Sequence, residues 1–259
     1  MESLNQANDF AISIKNLSTK FGEEWIHKDL NFTADKGKII SIIGGSGSGK
    51  STLLKEMLGL IQPSSGSIHI FGQNILTVSP EKLHEIQRNY GVLFQQGALF
   101  SSLNVLENII FPLKQFTQLN TDTMIELVIL KLSLVGLSPD VAYKYPSELS
   151  GGMQKRVALA RAIILDPELV FLDEPSSGLD PVNAKAQDQL LKNLQQSLNL
   201  TIVMVTHDMN TLETISDQIV FLGQKKVMAS GTFEEVRNDS HPEIQAYFHE
   251  VCAKAWGSH

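Results

Sequence analysis

Cysteine is nearly absent from this 259-residue sequence: Cys252 stands alone. A single thiol excludes an intrachain disulfide and suits a reducing compartment, and its place near the C-terminus reads as an inert thiol rather than a nucleophile. Long apolar runs are missing as well. No stretch approaches the ~18 residues of a membrane span, and Met1-Glu2-Ser3-Leu4-Asn5-Gln6 has neither the basic start nor the apolar centre of a secretory leader. Positive charge is in deficit, with 21 Lys+Arg against 28 Asp+Glu and a net charge of −7. That balance argues against an extended phosphate-tracking surface, so nucleic acid is not an expected partner. No repeat, low-complexity tract or linker divides the chain. These absences together predict a cytosolic protein whose contact with a membrane comes through a partner.

What the sequence does contain is a run of glycines in a telling place. Gly44-Gly45-Ser46-Gly47-Ser48-Gly49-Lys50-Ser51 fits the pattern G-x-x-x-x-G-K-[ST]. The apolar run Ile39–Ile43 before it predicts a buried strand, and Leu53, Leu54, Met57 and Leu58 recur at helical spacing after it. Glycines at such a junction turn successive N–H groups inward, and the amides of the first helical turn complement negative charge. Phosphate is the ligand this arrangement suits, with Lys50 reaching the β- and γ-phosphates and the hydroxyl of Ser51 ligating Mg²⁺.

Around that junction the pattern is α/β with a helical insert. Ala11, Ile12, Ile14, Trp25, Ile26, Leu30 and Phe32 make a β-rich entrance, turned at Gly22. Ser67–Phe71 predicts a strand, Ser79-Pro80 opens a short helix through Arg88, and Tyr90–Phe94 reads as a buried strand. Helices follow until about Asp166; one has the stripe Ile125, Val128, Ile129, Leu132 and Val135, closed by Gly136. Leu169–Leu172 and Thr201–Thr206 read as strands buried on both faces, with Asp180-Pro181 opening a helix between them. Gln218–Leu222 and Lys225–Ala229 read as strands joined at Gly223, and Thr232-Phe233-Glu234-Glu235 as a capping box. Ile244, Tyr247, Phe248, Val251 and Ala255 form an amphipathic last helix, suited to packing on its own domain or on a partner.

With "GGSGSGKST" at 44–52, "LSGGMQKR" at 149–156, "LVFLDEP" at 169–175, "SGLD" at 177–180 and "TH" at 206–207, the chain resembles the ATP-binding subunits of ABC transporters over nearly its whole length. The resemblance implies an α/β, P-loop NTPase fold of the ABC ATPase type: a RecA-like core, an N-terminal antiparallel β-subdomain and a helical subdomain. One ATP-binding domain then covers residues 1–259, with about 1–95 and 166–240 as core, 96–165 as helical subdomain and 241–259 as C-terminal helix. It implies ATP and Mg²⁺ as cofactors and two composite sites in a homodimer, where Ser150, Gly151 and Gly152 of one subunit face the γ-phosphate held by the other. Ser150 also suits a plain N-cap, but two glycines in a first helical turn, each costing up to ~1 kcal/mol against Ala, are better explained by close approach of a phosphate.

Gly44, Gly45, Ser46, Gly47, Ser48, Gly49, Lys50, Ser51 and Thr52 are the expected phosphate cradle. Asp173 and Glu174 end a buried strand, where open α/β sheets place ligands; by resemblance Asp173 holds Mg²⁺ and Glu174 orients and deprotonates the attacking water. His207 matches the histidine that touches the γ-phosphate. Gln95, favoured over Gln96 by the "FQ" pattern, senses metal and water. Phe21, ahead of Trp25, is the aromatic for adenine stacking, with core packing as its other reading. Asp180 either crosses the dimer interface or caps its helix.

Within the family, "GALFSSLNVLENIIFPL" at 97–113 and Met153 in the signature resemble the ATPases of Mla/Mce-type phospholipid transport systems, the MlaF group. That implies membrane permease subunits contacting residues 97–113 through an apolar surface of Leu99, Phe100, Leu103 and Val105. It further implies a small accessory subunit and a peripheral position on the cytoplasmic face of the inner membrane. The sequence ends at His259, soon after Trp256, which leaves open a tail contact of the kind some of that group make. A transporter ATPase for a polar solute or an exported substrate is the nearest alternative. A DNA-repair ATPase would need a coiled-coil, zinc or DNA-binding insertion, and a translation ATPase two cassettes; each motif occurs here once.

Overall fold

The computed structural model describes residues 10–95 and 97–256, with the helical backbone alone for 252–256. The expectations for Met1–Gln6, Gln96 and Cys252, and for the side chains of Ala255 and Trp256, fall outside the described residues. The chain divides into two compact units, residues 1–86 with 201–259, and 87–200.

In the first unit, β1 (Phe10–Phe21) and β2 (Glu24–Asp35) form a long antiparallel hairpin. With β4 (Ser65–Ile70) and β5 (Gln73–Asn74) they complete a four-stranded sheet in the order β2-β1-β4-β5. The strand β3 (Ile39–Ile43) is buried at every residue, as its unbroken hydrophobicity predicts. It lies parallel to both β8 (Thr201–Val205) and β9 (Gln218–Gly223). The helix α1 (Lys50–Met57) follows β3 through the glycine loop.

β10 (Lys226–Gly231) pairs antiparallel with β9. Their turn is not at Gly223 but at Gln224 and Lys225, whose φ angles of 47° and 67° suit the two central positions of a tight hairpin turn. Gly223 is small for a different reason: a Cβ there would sit 2.3 Å from Met228 Sδ and 2.5 Å from Glu243 Oε1. After the short α7 (Met209–Thr214), β9 and β10 come α8 (Phe233–Arg237), opened by the Thr232–Glu235 capping box, and α9 (Pro242–Trp256). Ile244 and Phe248 of α9 join Ile43, Leu212, Ile219, Phe221, Phe233 and Val236 in one core cluster, with Tyr247 against it. This face of the last helix therefore packs on its own domain.

The second unit contains α2's last residues (α2, Pro80–Arg88) and the parallel pair β6 (Tyr90–Leu93) and β7 (Leu169–Asp173). β6 is buried only at Gly91 and Leu93, so it is half as buried as its composition predicts. Its helices are α3 (Val105–Phe116), α4 (Thr121–Leu134), α5 (Gly151–Ala162) and α6 (Pro181–Leu198). On α4 the buried face runs through Met124, Val128, Lys131 and Leu132, while Ile125 and Ile129 are only half-buried. The face turns because Lys131 is drawn inside to pair with Asp166, its methylene stem packing as a hydrophobe would.

Candidate functional site

The phosphate loop leaves β3 at Gly44 and enters α1 at Lys50. Gly49 has φ 95°, and a Cβ on it would meet His27 Nε2 at 2.4 Å, so only glycine fits between the loop and the buried histidine beneath. Gly44 is pressed equally closely on the other side, its added Cβ falling 2.2 Å from Leu222 O. At Gly45 and Gly47, by contrast, a Cβ would meet nothing within 4 Å. The loop is thus crowded at Gly44 and Gly49 and open at Gly45 and Gly47. No side chain caps α1, and helix geometry gives its first-turn amides no partner within the helix. Lys50 Nζ lies across the loop, donating to Gly44 O and Gly45 O at 2.8 Å each and to Ser48 Oγ at 3.4 Å. Ser46 and Ser51 are exposed, and Ser48 and Thr52 half-buried.

His27 itself belongs to a buried group that the sequence reading missed. Its Nδ1 lies 3.0 Å from Glu56 Oε2, without hydrogen-bond alignment, and both side chains are fully buried. Glu56 also accepts from the Thr19 hydroxyl.

Elsewhere in the first unit, Phe21 ends β1 beside Gly22 and is 50% exposed, which removes the core-packing reading. Trp25 is half-buried under Lys20, whose Nζ is 5.7 Å from the ring centre. His207 follows β8 and is exposed, while the buried Thr206 accepts from Asp208 N at 3.1 Å.

In the second unit, the apolar residues of β7 deliver Asp173 and Glu174, both half-buried, to the strand's C-terminal end. Glu174 has φ 53°, a left-handed conformation that costs a non-glycine residue about 1 kcal/mol or more. Ser177 closes the turn, its N–H and its hydroxyl donating to Glu174 O at 3.2 and 3.1 Å. Ser150 caps α5, accepting from Met153 N at 3.3 Å. A Cβ on Gly151 would meet nothing, and one on Gly152 only ordinary contact with Leu179 at 3.6 Å. Among the described residues, then, no close contact requires glycine at either position. Ser150, Gly151, Gly152, Arg156, Asp180 and Gln187 help line a cleft of about 480 Å³. Asp180 caps α6, accepting from Val182 N and Asn183 N at 3.1 Å; hydrogen bonds from the Asn183 side chain first, then from backbone N–H groups, hold its carboxyl below the usual range.

Gln95 is exposed in the turn after β6. The segment beyond it is pinned by two residues absent from the sequence reading. Arg161 donates to Gly97 O at 2.6 Å and Ala98 O at 2.8 Å. The buried Asn108 accepts from Phe100 N at 2.8 Å and donates to Phe100 O, Leu103 O and Asn104 O at 2.9–3.1 Å. On this frame Phe100 is 45% exposed and packs at 5.3 Å, its ring tilted by 52°, against Phe111, itself 48% exposed. Leu99 and Leu103 are half-buried. Val105 does not share this surface: it is fully buried as the first residue of α3, its N–H bonded to Lys144 O.

Ser51 and Asp173 offer hard oxygen donors of the kind Mg²⁺ takes. Among the described residues no group of three His, Cys, Asp or Glu side chains could hold a metal ion.

The ABC transporter family matches residues 27–177. The intermembrane phospholipid transport system ATP-binding protein MlaF of Haemophilus influenzae is 42% identical over 229 residues, 88% of this chain and 86% of that protein. The probable ribonucleotide transport ATP-binding protein mkl of Mycobacterium leprae is 40% identical over 237 residues, 92% of this chain and 68% of that one. Among solved structures, the dimeric post-hydrolysis state of the ATP-binding cassette MJ0796 bound to ADP and Pi superposes with a TM-score of 0.78 at 32% identity, covering 85% of this chain and 98% of that chain. This chain belongs to the ABC transporter family and has its ATPase fold. It is the ATP-binding, ATP-hydrolysing subunit of a transporter.

Proposed function

We propose that this ATPase energises phospholipid transport between membranes of the cell envelope. It works as a homodimer on the cytoplasmic face of the inner membrane, bound to permease subunits and a small accessory subunit. The lipid reading rests on the 42% identity to the H. influenzae phospholipid transport protein. The exposed Phe100–Phe111 pair, on a segment stiffened by Asn108 and Arg161, gives that reading a surface on which an apolar permease helix can sit. The similarity to mkl favours a second reading, in which the cargo is a ribonucleotide and the same ATPase serves a different permease.

In this reading Phe21 stacks on adenine, and Gly44–Thr52 hold the phosphates with Lys50 as their counter-charge. Ser51, Asp173 and Gln95 would hold Mg²⁺, which would supply charge neutralisation at the phosphate oxygens. Glu174 takes the proton from water, and His207 contacts the γ-phosphate. Ser150, Gly151, Gly152 and Asp180 meet the nucleotide of the partner subunit. The whole is one ATP-binding domain, residues 96–165 forming its helical subdomain. Among the described residues no helix is long and apolar enough to cross a membrane.

Phe100→Asp tests the docking surface. ATP binding by the free protein should be unchanged, while co-purification with the permease is abolished. Retained assembly would place the permease contact elsewhere.

A further inference from the structure

Lys155 directly follows "LSGGMQ", three residues beyond Gly152, the last residue there to which the family resemblance assigns a role. It is 8% exposed, in the middle of α5's apolar face between the buried Val157 and Ala158 and the half-buried Gln154. An ammonium has three donors, and here they meet three oxygens: Glu174 O at 3.1 Å, Ser177 Oγ at 3.1 Å, and Ser177 O. Those acceptors belong to the turn that carries Glu174 in its left-handed conformation. The same turn is closed by Ser177 N and Oγ donating to Glu174 O. Burial pushes the Lys155 ammonium below its ordinary range, and the Glu174 carboxylate partly offsets that by favouring the charged form.

A buried ammonium spent wholly on backbone and hydroxyl oxygens of one turn is a costly device for packing alone, since a Leu or Met would fill the space without desolvating a charge. Its geometric effect is to fix where the peptide of Glu174 sits, and so where the carboxylate projects. Ser150–Gly152 open the same helix little more than one turn earlier.

We propose that Lys155 is a positioning residue for Glu174, clamping the Glu174–Ser177 turn to α5 so that engagement of that helix's N-terminus is transmitted to the hydrolytic carboxylate of the same chain. This rests on the role of Glu174 given under Proposed function.

Three variants test it: Lys155→Met, Lys155→Arg and, as the reference for the base itself, Glu174→Gln. In Lys155→Met, kcat should fall about 10–100-fold, the effect of misplacing a reacting group by roughly an ångström. Affinity for a fluorescent ATP analogue should stay within about threefold, since a positioning loss falls on the transition state and spares ground-state binding. ATP-driven dimerisation, measured by sedimentation in the Glu174→Gln background, should persist. Lys155→Arg, whose fork can still donate to Glu174 O and Ser177 O, should recover most of kcat. Independently of nucleotide, amide hydrogen exchange at Ser177 and Leu179 should quicken in Lys155→Met while β7 stays protected. Wild-type kcat in Lys155→Met, unchanged exchange in the turn, or a kcat loss that merely tracks lost ATP binding would each overturn the proposal. If Glu174→Gln itself turns over normally, the assignment of the base is what fails, and the exchange measurement still decides whether Lys155 holds the turn.

Discussion

The buried group beneath the phosphate loop offers a sharp test of how the loop is held. Glu56 is fully buried, accepts from the Thr19 hydroxyl and lies 3.0 Å from His27 Nδ1, while His27 Nε2 supports Gly49 from below. Glu56→Ala strands the Thr19 hydroxyl, at about 1–3 kcal/mol for an unsatisfied buried group. It also takes away the carboxylate 3.0 Å from the buried imidazole and leaves a void under α1. The stranded hydroxyl and the void together cost about 3–5 kcal/mol, and that is the loss expected in urea unfolding followed by circular dichroism. Replacing Thr19, His27 and Glu56 together by Val, Leu and Met should recover most of it, because no polar atom is then left unpaired. Affinity for the fluorescent ATP analogue should drop in Glu56→Ala, since His27 is free to shift away from Gly49. A change in stability within about 0.5 kcal/mol, the range of an ordinary surface substitution, would refute the view that this pair braces the loop.

Gly91→Ala should destabilise the second unit severely, since its Cβ would fall 1.9 Å from the backbone carbonyl of Ala162 and neither β6 nor α5 can yield cheaply; expression yield and thermal unfolding measure it. Asp180→Ala removes the cap of α6, and its effect should depend on pH. The Asp180 carboxyl is held below its ordinary range in the folded chain. Its stabilising contribution is therefore full above the unfolded value of about 3.9 and fades as pH falls through the lower folded value. The urea midpoints of wild type and variant should converge in acid, and a gap that widens there would contradict this assignment.

Local chemistry was readable from the sequence where the determinants sit side by side. The buried run Ile39–Ile43, the glycines after it and the helix that follows are contiguous, and so are the Ser150, Asp180 and Thr232 caps, each satisfied within three residues. The missed residues act at a distance. Arg161 reaches carbonyls 63 and 64 residues away, Lys155 reaches 19 and 22, and Thr19 meets Glu56 across 37. Each was marked by one available sign, a charged side chain inside an apolar helical stripe, but a sign of that kind gives no partner. Val105 misled for the converse reason: an apolar residue in an apolar segment carries no mark of which side it faces, and the start of α3 against Lys144 turned it inward. The hairpin at Gln224-Lys225 was placed one residue early because Gly223 looks like a turn glycine, whereas Met228 and Glu243 leave no room there for a side chain.

Whether ATP hydrolysis by this chain drives phospholipid movement is decided by one reconstitution. The protein would be co-purified with its permease, placed in donor vesicles containing fluorescent phospholipid, and transfer to acceptor vesicles followed with and without ATP. ATP-dependent transfer is expected with wild type and none with Glu174→Gln, whose hydrolysis should fall about 10²–10⁴-fold while ATP binding is kept. A complex that hydrolyses ATP but moves a ribonucleotide and leaves phospholipid where it was would contradict this expectation.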